Sequence, residues 1–527
     1  MKTLTTLLCC IFLFQVLDAQ PEGFHERTFT KDGFDRRYWV YVPSSYTGET
    51  PTPIVLNIPG FANYIDFFIT FIKMHEVAEA EGFLYVVPEA VPTDTPFGFA
   101  PSWNFFSDPS GPDDFAYIEE VLLRVASEFA VDSRRVYTSG HSQGAFMNWL
   151  LACRLPGHFG AIGPVAGRLV DILSAGCPDM DTPAIPIAHI QGTADPNVPY
   201  GAATLPGLGA IMSVPDYIAR WANLNGCATT TTETNLPDIN LEDNSTVTRI
   251  EYEDCPDGKD VWLFRVNEGG HYWPNATDLP PDLVQFGNNN KDIVGGQVLW
   301  DFFAQHVGDA PPFELLNVEM HSTMGPLTDG KVLDHAFIPH KISVQLNPSM
   351  ESVSMMKIQL SGPISWKTTQ TEAPFTLFGN SGMQIKGRYL PQGDYTLTAT
   401  PYFGGHAMEP MTVHFSVRGR TPSHANAQVE TRDDTKPGIL DSESWRAYPV
   451  PSRGEVTIML PDLQPGEQVQ LMLTDLQGRQ VQVLTPATSG QRQIRLDRQQ
   501  LNVPAGSYLL HGSSEVRTFS ALKLVWQ

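Results

Sequence analysis

Gly140-His141-Ser142-Gln143-Gly144 sets a serine between two glycines at the junction of two unlike segments. Before it, Arg134-Arg135-Val136-Tyr137-Thr138-Ser139 has the β-branched and aromatic character of a strand, and after it Ala145-Phe146-Met147-Asn148-Trp149-Leu150-Leu151 reads as a buried helix. The chain must reverse sharply at the serine, and glycines on both sides remove the side chains that would hold strand and helix apart. This is the Gly-x-Ser-x-Gly nucleophile elbow, a strained turn that presents a serine hydroxyl at the end of a sheet.

Outward from the elbow, strand-like runs at Arg37–Val42, Pro53–Ile58, Phe83–Val87 and Pro186–Ile190 alternate with helix-like intervals such as Asp113–Glu128, and Gly296–His306 closes the pattern. That alternation predicts an α/β domain with a mostly parallel sheet over residues 20–308. After Pro311-Pro312 the pattern becomes short alternating strands, for example Lys341–Leu346 and Gly393–Thr400, and predicts a small Ig-like β-sandwich over 309–420, read as a spacer. A polar stretch over 421–445 reads as a linker, and a second all-β segment occupies 446–527. The expected fold class is α/β followed by two small all-β, sandwich-like domains.

The chain has 527 residues, 42% of them hydrophobic, and 34 basic against 58 acidic residues give a net charge of −24. Such a surface argues against nucleic-acid and anionic-membrane partners. Residues 1–19 combine Met1-Lys2 with the apolar run Leu7–Phe14 and end at Asp18-Ala19, the layout of a secretory signal peptide. No later segment has the roughly twenty consecutive apolar residues of a transmembrane span. The leader's removal leaves Cys153, Cys177, Cys227 and Cys255, expected to form disulfides in an exported chain. Three pairings are possible. Sequence neighbours would each close a loop of about 25 residues, worth on the order of 3 kcal/mol. Zinc is the competing use, but the close Cys-x-x-Cys and Cys/His spacings are missing.

A serine hydroxyl attacks only when a base removes its proton, and the base needs an orienting carboxylate. Asp195 lies in the turn Gln191-Gly192-Thr193-Ala194-Asp195-Pro196 after the strand ending at Ile190. His271 lies in Glu268-Gly269-Gly270-His271-Tyr272-Trp273 after the strand-like Val261–Val266. Ser142, Asp195 and His271 thus occur in the nucleophile, acid, histidine order of α/β-hydrolases. The amide of Gln143, opening the elbow helix, is one expected oxyanion donor, and the amide of Phe61 after Asn57-Ile58-Pro59-Gly60 is the other. Trp103 and Trp273 are candidate pocket walls, and His141 is read as structural. No metal and no organic cofactor is called for.

Residues 25–308 resemble the polyhydroxybutyrate depolymerase and feruloyl esterase group of secreted α/β-hydrolases. The resemblance rests on Val87-Pro88-Glu89, Ser102-Trp103-Asn104, Asp113-Asp114-Phe115, the elbow, Pro164-Val165-Ala166-Gly167, Gly192-Thr193-Ala194-Asp195, Cys227, Cys255 and Gly270-His271-Tyr272-Trp273-Pro274. It implies a Ser142, Asp195, His271 triad and the pairs Cys153 with Cys177 and Cys227 with Cys255. Where that group has His-Gly in its early-strand loop, this chain has Pro59-Gly60.

The C-terminal segment, from Tyr448-Pro449-Val450-Pro451 through Leu473-Thr474-Asp475 and Ala505-Gly506-Ser507-Tyr508 to Lys523-Leu524-Val525, is similar to the sorting domain of type IX secretion in Bacteroidetes. Its residues alone would also suit a carbohydrate- or polymer-binding module. The implied protein is a serine esterase, secreted or attached to the cell surface, that acts on a polyester or a feruloyl-type ester and engages the type IX machinery. The reading from another class is a surface adhesin on an inactive hydrolase scaffold.

Overall fold

In the computed structural model, the alternating apolar runs build one ten-stranded sheet. The structure describes residues 22–419 except 96–97, 171–183, 206–207, 280–285, 350–352 and 382–383, together with the strands between 446 and 526. The expected signal peptide 1–19, linker 421–445 and Cys177 lie outside the described residues. One compact unit runs to Pro422 and a second starts at Ser423.

The first unit opens with β1 (Gly23–Lys31), β2 (Phe34–Val42) and β3 (Thr52–Ile58), then α1 (Ile65–Ile72), α2 (Met74–Glu81) and β4 (Leu84–Pro88). A hairpin, β5 (Pro92–Thr95) and β6 (Gly98–Pro101), precedes α3 (Asp114–Glu128), β7 (Val131–His141), α4 (Gln143–Arg154), β8 (Ala161–Val165) and β9 (Ile187–Gly192). A second hairpin, β10 (Ala203–Leu205) and β11 (Gly209–Ile211), leads to α5 (Val214–Asn225), β12 (Thr231–Asn235), β13 (Thr246–Tyr252), β14 (Val261–Asn267) and α6 (Gly295–Phe303).

The sheet order is β1-β2-β4-β3-β7-β8-β9-β14-β13-β12. From β4 to β14 the pairs are parallel. Antiparallel strands flank them at both edges. Strands β4, β8 and β9 are buried along their whole length, as parallel strands must be when helices cover both faces. Successive residues enter opposite cores: Leu56, Val86 and Ile187 pack with Ile118 of α3, Leu150 of α4 and Ile218 of α5. Val55, Val87 and Ala188 pack with Phe68 of α1, Val77 of α2 and Leu299 of α6. The edge strand β12, Thr-Thr-Glu-Thr-Asn, is exposed throughout, and its polar side chains suit an unpaired edge. Helix α3 starts where the Asp113 carboxylate accepts the Ala116 amide at 3.0 Å.

Residues 313–418 form two larger sheets and a two-stranded one of Asn380–Ser381 and Gln384–Ile385. Four strands, Ser322–Pro326, Phe313–Asn317, Ile342–Leu346 and Phe375–Thr376, make one. The other runs Lys331–Asp334, Met411–Arg418, Gly393–Phe403, Met355–Ser361 and Trp366–Gln370. This region reads from the sequence as a spacer, yet it is built onto the large sheet. Leu315, Met324 and Leu333 share a core with Leu122 and Val131. Ser133 donates its hydroxyl to Glu314 at 2.5 Å, and its amide donates to Thr323 Oγ1 at 2.8 Å. The Glu119 carboxylate meets Lys331 Nζ at 2.8 Å and His158 Nε2 at 3.2 Å. Arg124 stacks over Phe29 at 3.8 Å and over Phe337 at 3.9 Å.

In the second unit, Arg446–Tyr448, Glu455–Met459 and Gln493–Asp497 form one antiparallel sheet. Gln480–Thr488, Gln468–Asp475, Gly506–Ser513 and Thr518–Trp526 form the other. Ile458, Leu471, Leu473 and Leu510 are fully buried within this unit.

Candidate active site

Strand β7 ends at His141 and α4 begins at Gln143, so the whole reversal falls on Ser142, whose φ of 56° and ψ of −116° are strained for a residue with a side chain. Ile58 of β3 lies opposite Gly140 of β7. The approach is so close that a Cβ at Gly144 would run into the Ile58 carbonyl, and one at Gly140 would lie 2.7 Å from the backbone of Gly144. Both glycines of the motif are therefore required by packing around the serine.

The two partners arrive on neighbouring strand ends, at the carboxyl edge of the parallel strands where open α/β sheets hold their ligands. Asp195 sits in the turn after β9. One carboxylate oxygen accepts the amides of Asn197 and Val198, each at 2.8 Å. The other accepts Gln191 Nε2 at 2.8 Å and faces His271 Nδ1 at 2.8 Å. His271 follows β14, its amide donating to Phe286 O at 2.6 Å while its ring stacks on Phe286 at 6.0 Å between centroids. Its Nε2 lies 2.9 Å from Ser142 Oγ. With Nδ1–H given to the carboxylate, Nε2 is left as acceptor for the serine hydroxyl. Residues 142, 195 and 271, far apart in sequence, thus form one hydrogen-bonded chain.

His141 packs its ring 4.9 Å from that of His271, and burial together with the neighbouring imidazole holds it well below the usual histidine range. It stays neutral beside His271, and it is His271 whose Nε2 faces the Ser142 hydroxyl.

The Pro59-Gly60-Phe61 loop lies directly against the elbow. A Cβ at Gly60 would sit 3.0 Å from His141 O and 3.3 Å from Ser142 Cβ. Proline supplies no amide hydrogen there, but its carbonyl is used: Trp103 Nε1 donates to Pro59 O at 2.8 Å. The Gln143 side chain completes the brace, its Oε1 accepting the Trp103 amide at 3.0 Å and its Nε2 donating to Ser102 Oγ at 2.9 Å. Below this, the Asn104 amide donates to Asp114 at 2.7 Å, and Asp114 pairs with buried Arg36 at 2.5 Å. Burial pushes the Asp114 carboxyl upward against the pull of Arg36.

The two tryptophans expected as pocket walls have other surroundings. Trp103 is only 3% exposed and braces the Pro59 loop; Trp273 is 1% exposed and packs against Gly295 at the start of α6. Both rings are spent on packing because an indole next to a tight loop fills the space that glycines leave. Sequence reading missed Arg168, which is fully buried after β8. It donates through Nε to Met212 O at 2.7 Å and through Nη2 to Pro199 O at 2.6 Å and Gly201 O at 2.9 Å. It thereby clamps the loop that carries Asp195. Its signal in the sequence was a lone cation directly after the apolar run Pro164-Val165-Ala166-Gly167.

Cys227 and Cys255 form a disulfide that closes a segment of sequence separation 28 around β12 and β13. The other expected pair includes Cys177, outside the described residues. Among the described residues no helix is long and apolar enough to cross a membrane.

Residues 33–205 match the Esterase family model. The chain is similar to feruloyl esterase B of Piromyces equi, with 26% identity over 244 residues, 45% of this chain and 42% of that protein. It is also similar to a bifunctional acetylxylan esterase/xylanase of Neocallimastix patriciarum, 23% identical over 53% of this chain and 35% of that one. A third relative is feruloyl esterase D of Neurospora crassa, 23% identical over 52% of this chain and 83% of that protein. The chain thus spans less than half the length of the first two relatives. Among solved structures, acetyl xylan esterase from Aspergillus awamori aligns with a TM-score of 0.33 and 15% identity over 49% of this chain and 97% of that one. Residues 446–526 match the secretion system C-terminal sorting domain. The chain therefore carries an Esterase-family segment and a type IX secretion sorting domain, and the latter assigns it to the secreted or surface-attached proteins.

Proposed function

We propose that residues 20–308 are a serine esterase that cleaves carboxylic esters through an acyl-enzyme. The observation that carries this reading is the continuous chain from Ser142 Oγ to His271 Nε2 at 2.9 Å and from His271 Nδ1 to Asp195 at 2.8 Å. In the first half-reaction His271 takes the Ser142 proton as Oγ attacks the ester carbonyl, then returns it to the departing alkoxide, leaving an acylated Ser142. In the second half, His271 deprotonates a water that attacks the acyl carbonyl, and Ser142 leaves with the proton. Asp195 keeps the ring oriented and stabilises the imidazolium formed at each step. The amides of Gln143 and Phe61 hold the oxyanion of both tetrahedral intermediates, and the Trp103 brace fixes the loop that presents Phe61.

For the ester itself, the names of the relatives favour feruloyl or acetyl groups on plant polysaccharide over a polyhydroxyalkanoate. Exposed aromatics in the segments that follow the Pro59 loop and Trp103, Tyr64 and Phe67 at the start of α1 and Phe106, suit an aromatic acyl group. Ser142→Ala should abolish both turnover of p-nitrophenyl acetate and labelling by a fluorophosphonate probe. Activity and labelling that persisted would overturn the assignment and favour the adhesin. Hydrolysis of feruloylated arabinoxylan, acetylated xylan and polyhydroxybutyrate film, measured side by side, would rank the substrates.

A further inference from the structure

The carboxyl edge of the large sheet holds a second concavity that the proposed chemistry does not use. Beyond β14, the loop joining β12 to β13 folds over the strand ends and leaves an open cleft of about 170 Å³. Asp238, Asn240, Leu241, Asn244, Asn267 and Glu268 are among its lining residues. Thr246 of β13 pairs with Asn267 of β14, so the cleft starts where the strand leading to His271 ends. Strand β7 is three strands away from β14, which at about 4.8 Å per strand places the cleft roughly 15 Å along the edge from the nucleophile. That is too far for the acyl group held at Ser142 and within reach of a polymer lying across the edge.

The wall is a built surface. Asp292 accepts the amides of Ile239 at 2.8 Å and Asn240 at 3.0 Å, and Asp243 accepts the amides of Ser245 at 2.8 Å and Lys291 at 2.7 Å. The Cys227–Cys255 disulfide closes the segment below. The lining contains no cation, and among the described residues neither Asp238 nor Glu268 forms an ion pair. Two carboxylates fall short of a metal site, and among the described residues no group of three or more His, Cys, Asp or Glu side chains could hold one. Within the same polar lining, Leu241 is 79% exposed, an apolar platform with no protein to cover.

From this we propose that the cleft is a distal subsite for a neutral, hydroxyl-rich chain: the polysaccharide backbone whose ester is presented to Ser142. The carboxylates of Asp238 and Glu268, both exposed, accept hydrogen bonds, and sugar hydroxyls supply donors that complement them. A polyester chain offers carbonyl and ether oxygens and no donor, and would leave both carboxylates facing acceptors. An anionic polymer would meet Asp238 and Glu268, while the cation that reaches Asn267, Arg265, is already paired with Glu233 at 3.1 Å. The flat C–H face of a sugar ring covers Leu241. This inference rests on the esterase reading for its substrate, but the cleft can be probed without turnover.

The test uses the full chain. Xylohexaose is titrated calorimetrically into the wild type and into the variants Asp238→Asn and Leu241→Ser. In parallel, KM and kcat are measured on acetylated xylan and on p-nitrophenyl acetate. Loss of one hydrogen bond or of the platform should raise KM on acetylated xylan about five- to tenfold with kcat unchanged. The same variants should weaken xylohexaose binding by a similar factor and leave p-nitrophenyl acetate turnover as in the wild type. An unchanged KM on xylan, or no heat with xylohexaose, overturns the subsite. Variants that instead impaired hydrolysis of polyhydroxybutyrate film would overturn the hydroxyl-rich class. A wild type that bound xylohexaose but left p-nitrophenyl acetate intact would sink the esterase reading and spare the cleft.

Discussion

The indole Nε1 of Trp103 donates to the carbonyl of Pro59 at 2.8 Å, tying a tryptophan from the loop after β6 to the loop after β3. Gln143, whose amide is one expected oxyanion donor, binds the Trp103 amide through its side chain at 3.0 Å. Trp103, through its indole and its main-chain amide, therefore registers the two sides of the proposed oxyanion site against each other.

Replacing Trp103 with phenylalanine keeps most of the buried ring and deletes the donor. The bond itself is worth about 1 kcal/mol, but a displaced Phe61 amide costs rate as well, since loss of one oxyanion donor costs about a hundredfold or more. We expect kcat on p-nitrophenyl acetate to fall about tenfold with KM held, read from steady-state kinetics. A change confined to KM would place Trp103 in substrate binding instead.

Asp195→Asn should preserve the fold and lower kcat by about four orders of magnitude, because the amide no longer secures the reactive tautomer of His271. The variant's NH₂ group finds no acceptor on either side: one position faces the amides of Asn197 and Val198, the other Gln191 Nε2 and His271 Nδ1. Single-turnover acylation should slow by as much as the steady-state rate. A loss below tenfold would remove Asp195 from the mechanism.

His189, fully buried, is lowered from 6.5 to about 3 by desolvation and by the nearby charge of Arg168. Between those two values the unfolded chain binds a proton that the folded chain refuses, so stability is full above pH 6.5 and is lost as pH falls through that window. His141 acts in the same direction. Urea midpoints should therefore drop from pH 7 to pH 4, and His189→Gln should flatten the slope. An equally steep profile in the variant would refute the contribution.

Removing the Cys227–Cys255 bridge by a double serine substitution should cost on the order of 3 kcal/mol, as expected for closing a segment of sequence separation 28. The loss belongs to the β12–β13 edge, so hydrogen exchange should quicken there while β7 and α4 stay protected. Uniform acceleration across the domain would show instead that the bridge sets global stability.

The sheet's centre was legible in the sequence because buried parallel strands are dominated by apolar residues, as in Leu84–Pro88. Asp195 and His271 were legible as candidates because each lies in a short turn after a strand-like segment, Ile187–Gly192 and Val261–Asn267. The edge was not: Thr231–Asn235 is exposed throughout and carries no alternation to detect. Trp103 and Trp273 are both buried, which their sequence surroundings did not reveal, because a tryptophan beside a functional motif looks the same whether it walls a pocket or fills a core. Arg168 escaped because its role depends on three carbonyls brought from residues 199, 201 and 212. The attachment of residues 313–418 was equally invisible, since Lys331 and Glu119 meet across 212 positions of chain.

That attachment alters what counts as the enzyme. Arg124 lies between Phe29 and Phe337, and the Glu119 carboxylate is shared by His158 and Lys331. A chain cut between residues 308 and 313 would leave a guanidinium without one of its rings, a carboxylate without its lysine, and Leu122 and Val131 open to water. The fragment that carries the proposed Ser142 chemistry with this packing intact therefore runs through Arg418, about 150 residues past the end of β14, and a shorter one would be sticky before it was inactive.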